Sequence, residues 1–188
     1  MSYIIKNFRF VQYLFLPKNL SDNEVLVMKI SDVILVITAT ATALMAGIFF
    51  AFSCAVNSGL VRLPDSQHVA AMQSINRRIQ NPVFFAAFSG ASLLLPISAF
   101  LHYGQTPRLL FLLAATVIYL TGAFGVTVFG NVPLNNTLDR FDLESSGVEE
   151  ITLQRANFEK RWNNLNTIRT VSSTLAVTLV VIACLSPN

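Results

Sequence analysis

Trp162, Asn166 and Arg169 are spaced i, i+4 and i+7, so a helix through them turns an indole, an amide and a guanidinium towards one side. Upstream, Gly130-Asn131-Val132-Pro133-Leu134-Asn135-Asn136 sets three amides around a proline, just where a long apolar stretch ends. Turn chemistry accounts for one or two of these amides, and interfacial anchoring accounts for Trp162 and Arg169 taken singly. Neither explains the amides between them. Polar groups at a membrane edge usually face the bundle interior, so the joint placement points to a polar pocket rather than scattered caps. Asn81, before Pro82, reads first as a helix cap, because asparagine satisfies free backbone N–H groups and proline suits a first helical turn.

Metal, haem and thiol chemistry find little support. The two cysteines, Cys54 and Cys184, fall near the ends of the first and last apolar stretches, on opposite sides of a membrane, too far apart for a disulfide. His68 and His102 are likewise on opposite sides and lack ligand-like spacing. A single-histidine haem, or a metal held by His68 and loop carboxylates, is the residual alternative; no metal and no cofactor is expected. The acidic residues of segment 138–154 surround Ser145-Ser146-Gly147 without a calcium-loop pattern and read as a solvated turn.

Four apolar stretches must position these groups: residues 31–54, 82–101, 109–129 and 171–185. The first three each hold the roughly 20 residues needed to cross a hydrocarbon core of about 30 Å. The fourth is short unless it extends back through Thr170, Arg169 and Ile168, which brings a guanidinium to the hydrocarbon boundary. Apolar residues make up 53% of the chain and charged ones 12%, too greasy a balance for a soluble domain of this length. Lipid offers no hydrogen-bonding partners, so the expectation is all-α: a four-helix transmembrane bundle with amphipathic helical segments in the two long connections. In the first of these, residues 65–80 carry Val69, Met72, Ile75 and Ile79 at helical intervals.

Both termini and the connection 102–108 then share one face, and the connections 55–81 and 130–169 share the other, here the loop face. More Lys and Arg residues lie on the loop face, which favours placing it in the cytoplasm of a protein integral to the plasma (inner) membrane. The net charge of +3 suits anionic lipid, with Arg77 and Arg78 as anchors, and no basic tract resembles a nucleic-acid arm. Residues 1–27 read as an extension, either an interfacial helix or a docking arm, ahead of a four-span domain at 28–188.

Ala46-Gly47-Ile48-Phe49-Phe50-Ala51-Phe52-Ser53, Ala71-Met72-Gln73-Ser74-Ile75-Asn76 with Asn81-Pro82, Gly130-Asn131-Val132-Pro133-Leu134-Asn135, and Trp162 through Asn166 to Arg169-Thr170 follow one another in order. Together they resemble the signature of the anthrone oxygenase-like family, a domain also called DUF1772. The likeness covers roughly residues 28–185. It implies a four-span bundle and, for some members, oxidation of anthrones to anthraquinones. Where many relatives carry histidine before the arginine of the last span, this chain has Thr167. An oxygenase without a cofactor motif would leave the chemistry to the substrate, with the protein stabilising an enolate and excluding water. On that implication His68 is the candidate general base and Arg169 holds the oxyanion. Asn76, Asn131, Asn135 and Asn166 orient carbonyl or hydroxyl groups, and Trp162 stacks on a lipophilic aromatic ligand.

The other class open to this sequence is non-enzymatic: an accessory subunit of a larger membrane complex, or a binder of a lipophilic molecule. Small residues at Thr38 to Ala43 and Ser89 to Ser92 permit close helix contacts, within one bundle or between copies in a homo-oligomer. A transporter is less attractive, since the spans carry no internal acid or base for coupling.

Overall fold

The structure, a computed structural model, describes residues 29–186. The extension expected at residues 1–27 lies outside them. Five helices account for nearly all of the described chain: α1 (Ile30–Leu60), α2 (Asp65–Ile79), α3 (Pro82–Leu101), α4 (Thr106–Asp139) and α5 (Val148–Leu185). All but α2 are long and apolar enough to cross a membrane. They close into a ring in which α1 packs on α3 and α5, and α4 packs on the same two helices from the opposite side. The protein is thus an all-α, membrane-spanning four-helix bundle, with α2 laid across α5 and the end of α4 on the loop face.

Hydrophobicity alone cannot hold such helices together in lipid, where an outward leucine is as comfortable as an inward one. Close approach does so instead. Ala91, Ala115, Ala123, Ala176 and Ala183 are fully buried along the helix contacts, and Thr38 shares a 2.7 Å hydrogen bond with Ser98 across α1 and α3. Val33, Val36, Leu44, Leu93, Leu110, Val117 and Leu175 point outward, as a lipid-facing surface requires. At the end away from the loop face, Arg108 donates from Nε to the Ala183 carbonyl and from a terminal nitrogen to that of Ser186. The Ala183 carbonyl also takes the Ser186 N–H, so Arg108 adds a second donor there and ties down the end of α5.

The helices run further than the apolar stretches. The first continues past Cys54 to Leu60, the third past Phe129 to Asp139, and the fourth begins at Val148, so that α5 has 38 residues and a length of about 57 Å. The long connection expected at 130–169 shrinks to a turn around residues 140–147. There the Asp142 carboxylate accepts from the Ser145 hydroxyl and from the Glu144 and Ser145 backbone N–H groups, which hold it below the usual carboxylate range. Asn81 caps α3, accepting from the N–H groups of Val83 and Phe84.

Candidate functional site

Three stretches of π-helix interrupt the regular turns: Phe52–Val56 in α1 and Thr127–Asn131 in α4 towards the loop-face end, and Tyr119–Gly125 midway along α4. Each π turn takes in extra backbone and rotates the following side chains out of the register that a 3.6-residue period would give them. Between the widened helices, beneath α2, lies a cavity of about 310 Å³, at the lower end of the range for small-molecule sites. Phe49, Phe52, Phe84 and Phe88 supply aromatic walls, and Asn76, Thr127, Asn135, Trp162 and Arg169 supply polar groups.

Arg169 is the charged member of this polar set. Its side chain is buried, with no acidic partner among its described contacts. A terminal nitrogen donates to the Asn166 side-chain oxygen at 2.8 Å, and the other reaches Thr127 Oγ1 at a marginal 3.5 Å. The guanidinium also lies 4.5 Å from the centroid of the Phe49 ring and 5.2 Å from that of Trp162. Aromatic faces attract cations most strongly where water is excluded, and here they take the part that a carboxylate would otherwise play. Nε has no acceptor. The Asn76 side-chain nitrogen, on another wall residue, is also buried and without an acceptor. Two buried N–H donors on residues of one cavity wall suit an oxygen-bearing ligand, and the guanidinium favours an anionic oxygen.

Asn166 and Asn131 support the wall rather than line the cavity, and Asn135 both lines it and holds Trp162. Asn166, fully buried, donates to Ser53 Oγ at 2.8 Å and to the Phe49 carbonyl at 3.2 Å while accepting from Arg169, so one side chain fixes both the guanidinium and α1. Asn131 lies behind Trp162 and donates to its carbonyl at 3.4 Å. Asn135 accepts the indole N–H at 2.8 Å, and Phe52 packs against the indole with ring centroids 5.3 Å apart. Trp162 is thereby locked at both ends.

His68 is placed elsewhere. Its ring Nδ1 is 3.1 Å from the Leu60 carbonyl, and the side chain is buried outside the cavity wall, near the start of α2. The structure therefore brings Asn76, Asn131, Asn135, Trp162, Asn166 and Arg169 together and leaves His68 apart. Sequence reasoning did not single out Phe49, Phe52, Phe88 or Thr127. Phe49 and Phe52 sit in an aromatic cluster that carried the family resemblance, but nothing in an apolar stretch marks which rings turn inward.

A family model described as anthrone oxygenase matches residues 71–179. That segment holds every polar residue of the cavity wall together with Asn131 and Asn166, and excludes His68. Neither a curated protein nor a solved structure matches the chain.

Proposed function

The chain belongs to the anthrone oxygenase family, and from that premise we propose that its cavity binds a flat, lipophilic phenolic ketone of the anthrone type and oxidises it with O2, without a resident cofactor. The observation that carries this reading is Arg169, buried against aromatic rings beside a cavity and free of any acidic partner among its described contacts. A methylene flanked by aromatic rings and opposite a ketone loses a proton to give an enolate, with the negative charge on oxygen. Arg169 and Asn76 stabilise that oxygen, and Phe49, Phe52 and Trp162 flank the rings. The enolate passes one electron to O2, the resulting radicals combine at the former methylene carbon, and the hydroperoxide loses water to leave a second carbonyl. In sum, the methylene and a molecule of dioxygen become a carbonyl and a molecule of water: one oxygen atom stays on carbon, and the other leaves with both methylene hydrogens. The reading rests on Arg169 rather than His68, whose imidazole is engaged outside the wall.

Purified protein in lipid nanodiscs, given 1,8-dihydroxyanthrone, should consume oxygen and form the anthraquinone faster than empty nanodiscs do. Arg169→Ala should lower that rate by about 100- to 1000-fold, the range for losing a group that stabilises an oxyanion. An unchanged rate in a variant that melts like the parent protein overturns the reading. A second reading, a binder or accessory subunit that holds such a molecule without turning it over, is favoured by one feature: among the described residues, Arg169 is the sole ionisable side chain in the wall. Saturable binding without oxygen uptake selects it.

A further inference from the structure

The cavity is strapped over by α2 on its aqueous side and opens between α3 and α4, where the exposed Gln80 and Asn136 share the wall with apolar side chains. On the aqueous side α2 is strapped over the end of α4. Gln73 donates to the Leu138 and Phe141 carbonyls at 2.8 Å each, and Arg77 pairs with Asp139. On the bilayer side α3 follows α4 closely through the lower part of the bundle, against residues 106–125, but no comparable packing joins it to residues 127–139. The two helices part at the level of the cavity. Phe85 on α3 and Val132 on α4 line the cavity and are nonetheless 48% and 40% exposed. Beside them stand Val83 and Phe129, at 79% and 84% exposed. Val83, Phe85 and Phe129 fall within the apolar stretches 82–101 and 109–129, where lipid chains are what covers an apolar side chain, and Val132 follows just beyond the second of these.

We propose that the cavity is loaded sideways from the bilayer, through a doorway between α3 and α4 with Phe85 and Val132 as its jambs. Its occupant is a planar aromatic that partitions into membranes and carries an oxygen able to reach Arg169; that choice of occupant rests on the function proposed above. Such a molecule is concentrated in lipid, and passing between apolar jambs costs it no desolvation. Entry from water beneath α2 would require that helix to lift against the Gln73 and Arg77 contacts. The size of the gap makes Phe85 and Val132 determinants of which ring systems are admitted.

Trp162 is the one tryptophan of the chain and lines the cavity, so its fluorescence reports occupancy. The experiment mixes full-length protein in phosphatidylcholine nanodiscs with vesicles carrying 1,8-dihydroxyanthraquinone and follows quenching by stopped flow. Val132→Phe should slow both quenching and its reversal by about tenfold, and Phe85→Ala should speed both. Arg77→Ala, which removes one of the two contacts of the aqueous strap, should leave the rates as they are. Anthraquinone-2,6-disulfonate, confined to water, should quench poorly. Faster loading in Arg77→Ala, equally rapid quenching by the disulfonate, or a Phe85→Ala rate equal to the parent overturns the doorway while leaving the aromatic-ligand reading intact. Quenching by neither compound overturns that reading and the doorway with it. If Val132→Phe does not fold, Phe85→Ala decides alone.

Discussion

Arg169 keeps a guanidinium inside a membrane bundle with an amide and two aromatic rings in place of a carboxylate. Its positive field is then left for whatever fills the cavity, and Asn166 is the residue that keeps it so. Asn166→Asp, isosteric with the native amide, would place a carboxylate 2.8 Å from the same nitrogen and neutralise the site from behind. Such a variant should fold yet bind an anionic aromatic at least about tenfold more weakly, as read by Trp162 quenching. Unaltered affinity would show that the charge of Arg169 is not what the ligand senses. Much at this scale was legible in the sequence. The spacing of Trp162, Asn166 and Arg169 is helical, and a helix has only one way to group them. What spacing could not reveal was the division of labour: Asn166 and Asn131 hold their neighbours, Asn76 has a donor to spare, and His68 sits a helix end away. Phe49, Phe52 and Thr127 were illegible because each lies in an apolar stretch whose spacing does not mark which face turns inward.

Helix type and number followed from apolar length, whereas helix ends did not. Hydropathy falls where helices leave the lipid, but the backbone goes on hydrogen-bonding to itself in water, so α1, α4 and α5 continue well past the apolar stretches. Asn81-Pro82 is the exception, because a cap and a first-turn proline are local signals that survive in any environment. The α4–α5 contact gives a sharp test of packing. A Cβ at Gly122 would meet Ser172 Oγ well inside contact distance and lie 2.6 Å from its Cβ. Gly122→Ala should therefore destabilise the bundle by about 1–3 kcal/mol, seen as a lower melting temperature in detergent, and Ser172→Gly should restore it. The docking of α2 gives a second test. Asp65 accepts from the Thr152 hydroxyl at 2.6 Å and from Arg155 at 2.8 Å, and these bonds, Thr152 first, hold its carboxyl below the usual range. A carboxylate depressed on folding contributes stability that is complete above its unfolded pKa, near 3.9, and is lost as pH falls through the lower folded value. Hydrogen exchange in α2 should stay slow from neutral pH to about 4 and rise only below it. Asp65→Asn should loosen α2 already at pH 7, and equal protection in the two proteins would remove Asp65 from the clamp.

Taken whole, the molecule keeps its cavity at the loop-face end and a second polar cluster, around Arg108, at the other. A membrane protein was legible from 53% apolar residues, and a bundle of four spans from the lengths of the apolar stretches. The lid formed by α2 was legible only as an amphipathic helix, because which neighbours it covers depends on contacts made far away in sequence. α5 joins all of these parts in one unbroken piece: the Arg155 clamp near its outer end, Arg169 midway, and the carbonyls held by Arg108 at its far end. A rod fixed at both extremities cannot tilt without carrying its middle along. Lipids with shorter acyl tails oblige long helices to lean, so the guanidinium would slide relative to the Phe49 ring as the host membrane thins. Turnover in nanodiscs should accordingly peak at one acyl-chain length and fall on either side of it, a mechanical sensitivity that a site mounted on loops would escape.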